Sequence, residues 1–313
     1  MDRGATQLGI RSHPGLLHEA LVVDSDETFV ARIAPFFRAG LDEGPTVAVL
    51  SRRHWALLRE ELGADAERVS YTDCDDFYIR PIDALASYDA TLRRYAASGA
   101  TSVRVAGEIP LGPTRAGWAD WISYEAILNR AFADRPAHVL CAYDTRTAPE
   151  SVIDAVWRTH PHVAAGADDT GPRFHPPHDV VAEFTPSPRR DLPLRALLPT
   201  QDATAFREEL STELAAAGAT QAQVLNMLVA ALEVFENAIR HGGGPSALRA
   251  GLVDGWFVCE IEDSGPGLDD PLAGYVPPTP GQSGGEGLWI ARRLVSRLEL
   301  IPAEPGLTVR LWL

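Results

Sequence analysis

A carboxylate and an amide are spaced one helical turn apart in the last third of the chain, at Glu233 and Asn237. Apolar residues recur every three or four positions through 221–241, which predicts a helix with one apolar face. Residues four apart share a helix face, so this pair should lie side by side. An amide oxygen suits one ligand position on Mg²⁺, and a carboxylate can act as a general base. Taken alone, the pair is more typical of an exposed helix surface, and Glu236, one residue before Asn237, should point elsewhere.

A second motif, EDSGPG at 262–267, follows a predicted strand at 257–261. A carboxylate at a strand end, here Asp263, can accept a hydrogen bond from an adenine amino group and so discriminate between bases. Gly265 and Gly267 would let the backbone approach a nucleotide where a Cβ would clash. An ordinary Asp-Ser-Gly turn would have the same sequence.

A third motif, GGEGL at 284–288, opens a predicted helix at 287–296. Unpaired N–H groups and the positive dipole at a helix start favour phosphate binding there. The stretch 268–283 between the two glycine turns is rich in proline and predicts a lid over a site. The three motifs in this order favour a nucleotide site over three unrelated turns.

Residues 190–313 resemble the GHKL ATPase domain shared by gyrase, Hsp90, histidine kinases and MutL. Within that family they look like the branch of anti-sigma-factor serine/threonine kinases. The resemblance is carried by LEVFENAIRHG at 232–242, EDSGPG at 262–267 and GEGLWIAR at 285–292.

This resemblance implies an ATP·Mg²⁺ site with Glu233 as the catalytic base, Asn237 as the Mg²⁺ ligand and Asp263 on adenine. The further nucleotide-binding positions that it implies are His241, Gly265, Gly267, Gly285, Gly287 and Leu288. Members of this branch bind a sigma factor, phosphorylate a small STAS-type anti-anti-sigma protein on Ser or Thr, and often form homodimers.

The first half of the chain alternates buried strands with helices, which predicts a mostly parallel sheet covered on both faces. The predicted strands are 19–23, 46–50, 68–71, 102–106 and 138–142, and the predicted helices are 28–40, 53–62, 81–98 and 118–133.

Residues 12–163 resemble the MEDS sensory domain. The matching strings are HEAL at 18–21, GLDEG at 40–44, RVAGE at 104–108, CAYD at 141–144 and THP at 159–161, with Phe36 and the stretch 121–129 containing Tyr124-Glu125. The resemblance implies a RecA-like fold without a working phosphate loop, and a signal-input role.

Several polar residues of this half should lie near strand ends, where doubly wound sheets bind ligands. They are His18, Glu43, Glu108, Tyr143 and Asp144. They predict either a polar ligand pocket or fixed loops and interdomain contacts. His160 and His162 are a weak metal pair, because no third ligand is evident from the sequence.

The composition and charge of the chain exclude some functional classes and disfavour others. The net charge is −15 and every basic residue is Arg, so a Lys-dependent P-loop is excluded and nucleic-acid binding is disfavoured. Cys74, Cys141 and Cys259 form no CxxC pair, which is typical of reduced structural thiols. No apolar run approaches the ~20 residues of a membrane helix, and 1–13 lacks a signal-peptide stretch. These features predict a cytoplasmic protein with no membrane contact.

The expected organisation is α/β: a RecA-like sensory domain at 1–163, a linker at 164–189 with a short strand at 180–184, and an α+β two-layer ATPase domain at 190–313. The last domain should contain helices at 204–216, 221–241 and 287–296, a hairpin of 248–253 with 256–262, and strands at 298–302 and 307–313.

Two other functions stay open. A sensor histidine kinase needs a phosphorylatable His on a helical hairpin before the ATPase part, and 189–220 has no His and one clear helix. A non-catalytic ATP-binding protein that sequesters a partner would keep the site without the transfer.

Overall fold

A computed structural model describes residues 15–112, 114–164, 173–185, 188, 191–268, 270–278 and 285–313. The N-terminal segment 1–13, much of the predicted linker and residues 279–284 of the predicted lid lie outside the described residues. The chain divides into two compact units, Met1–Val180 and Val181–Leu313.

The first unit is a six-stranded parallel sheet with helices between its strands. The strands are β1 (Leu16–Val23), β2 (Thr46–Leu50), β3 (Ser70–Asp73), β4 (Val103–Gly107), β5 (Ala137–Asp144) and β6 (His162–Val163). The helices are α1 (Asp26–Glu43), α2 (Arg52–Leu62), α3 (Cys74–Phe77), α4 (Pro81–Ala97), α5 (Arg115–Ala131) and α6 (Glu150–Thr159). The sheet order is β3-β2-β4-β5-β1-β6, and each neighbouring pair is parallel.

The apolar runs of the sequence explain this sheet. All five residues of β2 are buried, as a strand covered on both faces requires. Helices α1 and α2 pack on the sheet through side chains such as Ile33, Phe37 and Leu58, each at most 1% exposed. The predicted parallel α/β fold is therefore confirmed, with α6 and β6 as elements that the sequence analysis did not anticipate.

The short strand predicted at 180–184 is wrong, because this stretch belongs to helix α7 (Pro177–Phe184). Pro177 is the first helical residue, where its fixed φ suits a helix start. Val180, Val181 and Phe184 are all buried, a spacing that matches a helix face better than an alternating strand.

The second unit is an antiparallel sheet with three helices. The strands are β7 (Arg195–Ala196), β8 (Pro245–Val253), β9 (Trp256–Asp263), β10 (Arg297–Pro302) and β11 (Leu307–Trp312). The helices are α8 (Ala203–Ala216), α9 (Gln221–Gly242) and α10 (Glu286–Leu294). The sheet order is β10-β11-β9-β8-β7, which confirms the predicted α+β layers.

The alternation of β9 decides where Asp263 lies. Phe257, Cys259 and Ile261 belong to the core that this sheet shares with the helices. Because side chains of a strand alternate between faces, Asp263 falls on the same helix-facing side and Glu262 on the other.

The opposite face of this sheet carries a charged ladder. Arg310 is 1% exposed and donates to Glu260 at 2.9 Å and to Glu299 at 3.2 Å. Arg249 donates to the other oxygen of Glu260 at 2.8 Å. These contacts join β10, β11, β9 and β8, and a register slip would leave buried charges without partners.

Helix α9 is the core helix of the second unit. It begins at a capping box formed by Thr220 and Gln223, and it ends at Gly243 in the left-handed conformation. Its length and apolar composition alone would suit a membrane span. Its buried face, which includes Met227, Val234 and Phe235, packs into the core with the sheet, as in a globular α+β domain.

Candidate functional site

The polar face of α9 lies against the start of α10. A Cβ built on Gly287 would lie 2.8 Å from Glu233 Oε2 and 3.1 Å from Asn237 Nδ2. The first and third motifs therefore meet, and a Cβ at position 287 would require the ends of both side chains to move.

Glu236 has a different environment from Glu233. Its side chain is 57% exposed and pairs with Arg240 at 3.4 Å, whereas Glu233 is half-buried. Glu236 immediately precedes Asn237 and so projects about 100° around the helix from it, as the sequence predicts.

The second motif meets the C-terminal end of α9. A Cβ on Gly242 would lie 2.5 Å from Asp263 Cγ, so the helix end and the carboxylate are in close contact. The Gly265 N–H donates to Asp263 Oδ1 at 2.9 Å and fixes the carboxylate in an Asx turn. Among the described residues, Asp263 Oδ2 has no such donor, so this oxygen can accept a further hydrogen bond.

The two glycines of the second motif have separate packing reasons. A Cβ on Gly265 would lie 2.6 Å from Gly242 Cα, so this turn passes directly against the helix end. Gly267 has φ +81° and its Cβ position is 3.3 Å from Gly306 O, in the turn between β10 and β11. Gly265 thus borders α9, whereas Gly267 packs on the terminal hairpin.

Helix α9 forms the spine of the site. The third motif meets it at Glu233 and Asn237, and the second meets it at His241 and Gly242. The two meeting points are separated by roughly 7–14 Å along the helix, at about 1.5 Å per residue. This span is comparable with an extended nucleoside triphosphate. The His241 side chain is exposed at the end of the span near Asp263.

The first turn of α10 offers backbone donors. Gly285 caps the helix with φ +84°, and nothing lies within 4 Å of its Cβ position. The Leu288 side chain packs against the core, so its contribution to an anion site would come from its N–H. Gly284 lies outside the described residues.

The described part of the predicted lid packs against α10. Arg292 Nε donates to Ala273 O at 3.0 Å, and its guanidinium lies 3.8 Å from the centre of the Tyr275 ring. A Cβ on Gly274 would lie 2.7 Å from Leu288 Cβ. Burial lowers the pKa of Arg292. No role for Arg292 is evident from the sequence, because the partners of this side chain depend on how 270–278 folds back onto the helix.

Two family models match separate parts of the chain. Residues 17–161 match the model described as MEDS, the methanogen/methylotroph DcmR sensory domain. Residues 196–313 match the model of the histidine kinase-like ATPase domain. The chain thus matches two family models in succession, a MEDS domain followed by a histidine kinase-like ATPase domain. The latter is an ATP-binding, kinase-type regulatory domain, and such domains typically take ATP with Mg²⁺.

Individual proteins show at most a distant likeness to the chain. No curated protein matches the chain. The solved structures that align with it include the RsbU and RsbW domains of a Mycobacterium tuberculosis protein and the histidine kinase domain of the E. coli osmosensor EnvZ. Each is 23% identical over 40% of this chain, with 33% and 90% of the other chain covered and TM-scores of 0.29 and 0.24. The alignment thus spans one third of the mycobacterial chain.

The polar residues predicted at strand ends of the MEDS domain lie in separate places. Glu43 accepts from Arg104 at 2.8 Å. Glu108 accepts from His54 Nδ1 at 2.9 Å and from the Ser51 N–H at 3.0 Å. Burial alone would raise the pKa of Glu108, but these hydrogen bonds lower it. The structure therefore does not gather the five residues into one pocket.

Asp144 is the exception, because it is linked to Glu108. Arg146 pairs with both Asp144 and Asp26, and Asp26 Oδ1 is 3.8 Å from Nε2 of His54, the partner of Glu108. His18 occupies a further environment. Asp144 pairs with Arg146, and this hydrogen bond lowers the pKa of Asp144. His18 is near the amino end of β1, and it lies with Tyr143 around Glu125 in the interior. His160 is buried in that interior as well, whereas His162 is exposed on β6, so the two do not form the predicted pair.

Proposed function

We propose that this chain is a signal-responsive anti-sigma-factor regulator. Its ATPase domain binds ATP with Mg²⁺ and phosphorylates a small STAS-type anti-anti-sigma protein on Ser or Thr, and its MEDS domain receives the signal. The proposal rests on the family match and on the contact between Gly287 and the pair Glu233 and Asn237. The motif strings of 232–242 and 285–292 favour the serine/threonine branch.

Each predicted site residue has a proposed role. Asn237 ligates Mg²⁺ through its amide oxygen, and Asp263 accepts from the adenine amino group through Oδ2. The N–H groups of the first turn of α10, from Gly285 to Leu288, hold phosphate oxygens. His241 and the glycines Gly265 and Gly267 border the adenine end. ATP is held largely by backbone donors, which is consistent with a chain that lacks Lys.

The proposed reaction is an in-line phosphoryl transfer. The acceptor hydroxyl hydrogen-bonds to Glu233, its proton passes to the carboxylate, and its oxygen forms a bond to the γ-phosphorus as the bond to the β-phosphate oxygen breaks. The products are a phosphoserine or phosphothreonine, ADP, and a proton released later from Glu233. Bound Mg²⁺ supplies neutralisation of the phosphate charge.

The partners and the cellular location that we propose follow from the composition of the chain and from the family matches. The proposed partners are a sigma factor, a STAS-type protein, or both. A second copy of the chain is a further proposed partner, because ATPase domains of this branch often form homodimers. The acidic balance of −15 gives no basic face for direct nucleic-acid binding. We place the protein in the cytoplasm, away from the membrane, with domain boundaries at 1–163 and 190–313 around the linker 164–189.

A sensor histidine kinase is the second candidate among kinases. It would require a helical hairpin with a His before the ATPase core. The described stretch 191–220 contains the single helix Ala203–Ala216 and no His. This observation favours the serine/threonine proposal.

Labelled ATP distinguishes the candidates. The purified full chain is incubated with γ-labelled ATP, Mg²⁺ and a small STAS protein from the same genome, with a Ser→Ala version of that protein as the control. Acid-stable label on the STAS protein alone supports the proposal. Acid-labile label on the chain itself supports a histidine kinase. ATP binding without any transfer supports a sequestering protein and contradicts the kinase role.

A further inference from the structure

Four metal-ligating side chains from four elements meet in the interior of the MEDS domain. They are His18 of β1, Glu125 of α5, Cys141 of β5 and His160 at the C-terminal cap of α6, here called the quartet. One ligand atom from each lies within 4.8 Å of all the others. The four residues are between 1% and 5% exposed.

Four of the six distances between ligand atoms of the quartet lie close to those around a tetrahedral ion, and all six are within 4.8 Å. Glu125 Oε2 is 3.0 Å from His18 Nε2 and 3.5 Å from His160 Nε2. Cys141 Sγ is 3.3 Å from His18 Nε2 and 3.5 Å from Glu125 Oε2. Zn²⁺ with bonds of about 2.0–2.3 Å places its ligands roughly 3.3–3.8 Å apart, so small shifts would seat the ion.

Both histidines are oriented as metal ligands by hydrogen bonds on their far side. His18 Nδ1 is 3.0 Å from Asn129 Oδ1, and the Asn129 amide nitrogen donates to Thr159 O, which turns that oxygen towards His18. His160 Nδ1 donates to Val156 O at 2.9 Å. For His160 this places the proton on Nδ1 and leaves a lone pair on Nε2. His18 Nε2 lies 3.0 Å from Glu125 Oε2, to which it donates, and it would give up that proton as the ion binds.

One of these two Nε2 atoms lacks a hydrogen-bond partner among the described residues. His160 Nε2 is buried and makes no hydrogen bond among the described residues, which is costly unless something occupies that position. Because the hydrogen bond to Val156 O places the proton on Nδ1, an Nε2 without a proton leaves the ring neutral. A neutral imidazole is the form that binds a metal.

The carboxylate is oriented in the same way. The Tyr143 hydroxyl donates to Glu125 Oε1 at 2.9 Å, which leaves Oε2 directed at the other three ligand atoms. A carboxylate and a thiolate balance the charge of a divalent ion, whereas either anion alone would be expensive at this depth. The Cys141 thiol proton would leave to solvent as the thiolate binds.

We propose that the quartet binds one Zn²⁺ ion. Two imidazoles, a thiolate and a carboxylate form a donor set that suits this borderline-soft ion, which prefers four-coordinate tetrahedral geometry. All four positions are taken by buried side chains, as in structural zinc sites, which are closed to substrate. The ion would join β1, β5, α5 and the end of α6 into one rigid unit. This inference is independent of the kinase proposal.

Metal content and cobalt spectroscopy test the site on the full chain. The protein is produced in zinc-supplemented medium and passed over a weak chelator that removes loosely bound metal. Its metal content is then measured by inductively coupled plasma mass spectrometry. One zinc per chain is expected. A parallel preparation in cobalt medium should show tetrahedral d–d bands and a thiolate-to-cobalt charge-transfer band.

Matched variants locate the ion. Cys141→Ser and His160→Gln should each retain less than a tenth of the zinc, and Tyr143→Phe should weaken zinc affinity by about 10- to 100-fold. Cys74→Ser is the control, because Cys74 is a buried thiol of the same unit outside the quartet. It should keep one zinc and the cobalt spectrum.

The possible outcomes are distinct. Retention of zinc in both Cys141→Ser and His160→Gln, or a wild type that holds neither zinc nor cobalt after growth with each, would overturn the proposal. A cobalt protein without the thiolate band would also overturn it, and this result needs no variant to fold. Wild-type protein that carries a different metal in every medium would contradict the assignment to Zn²⁺.

Discussion

Glu233 and Glu236 are three residues apart on α9, yet only Glu233 lies against the first turn of α10. This difference gives the two carboxylates different proposed roles. Glu233 is half-buried beside Asn237 and Gly287, where an acceptor hydroxyl could meet the γ-phosphate. Glu236 pairs with Arg240 in solvent, where such a pair contributes little.

We predict that Glu233→Gln lowers phosphotransfer by about 10²- to 10⁴-fold, the usual contribution of a general base. ATP affinity should change little, because the amide keeps the size and polarity of the side chain. Labelled transfer and calorimetric titration measure the two quantities. Glu236→Gln is the matched control and should leave both unchanged. An equal loss of binding and transfer in Glu233→Gln would contradict the role of a base.

Asp263→Asn should weaken ATP binding itself. The substituted amide keeps an oxygen for the Gly265 N–H but presents an NH₂ group to the adenine amino group. The loss of that hydrogen bond should cost about 1–3 kcal/mol, roughly 5- to 150-fold in Kd. Glu262→Gln is the control, since Glu262 lies on the other sheet face and pairs with Arg249. An unchanged Kd for Asp263→Asn would rule out the adenine contact.

At the scale of elements, the site depends on α10 packing its first turn against α9. The chain achieves this with a glycine at 287, because a Cβ there would push on two polar side chains. The register of β9, fixed partly by the charged ladder on the far face, sets the position of Asp263. The nucleotide site is thus assembled from a helix pair and a strand end.

Gly287→Ala tests this packing. Alanine is a better helix former than glycine by about 1 kcal/mol, so the fold should survive. The added Cβ should displace Glu233 and Asn237 and reduce ATP affinity at least about 10-fold, an estimate based on the loss of one good contact. Gly251→Ala is the control, because the added Cβ would lie 3.6 Å from its nearest neighbouring atom, an ordinary van der Waals distance. Normal ATP affinity in Gly287→Ala would show that α10 does not border the nucleotide.

Local patterns predicted most of these elements. The strand 46–50 and the helix starting at 221 were identified to the residue, because burial and amphipathic periodicity are properties of short stretches. The stretch 180–184 was misread as a strand, since its paired valines and nearby prolines resemble an edge strand. Helix α6 was not anticipated.

Contacts between distant residues were harder to predict. The order of the three motifs indicated a site, but only packing shows that Gly287 touches Glu233 and Gly242 touches Asp263. The quartet was invisible for the same reason: its members come from four elements, and they meet only because β5 lies beside β1 in the sheet. The roles of the site residues stay predictions until they are measured.

At the scale of the whole molecule, the chain consists of two units with separate cores. Ligands that bind one folded unit should stabilise that unit by mass action. Scanning calorimetry of the full chain should therefore show two unfolding transitions, with ATP·Mg²⁺ raising one and Zn²⁺ the other. A ligand at 100 times its Kd should add about 2.7 kcal/mol.

A variant assigns the two transitions. Asn237→Ala should lose the shift caused by ATP·Mg²⁺ and keep the shift caused by Zn²⁺. A single transition that both ligands move by the same amount would mean that the two units unfold together, and the description of independent units would be wrong.

The central claim is that the face of α9 bearing Glu233 and Asn237, together with the two glycine turns, binds Mg²⁺-loaded ATP. Isothermal titration of ATP into the full chain, with Mg²⁺ and then with EDTA, tests it most directly. We expect one ATP per chain, with affinity reduced at least about 10-fold by EDTA or by Asn237→Ala, the loss of roughly 1.4 kcal/mol. No heat of binding with Mg²⁺ present, or the same affinity in Asn237→Ala, would contradict the claim.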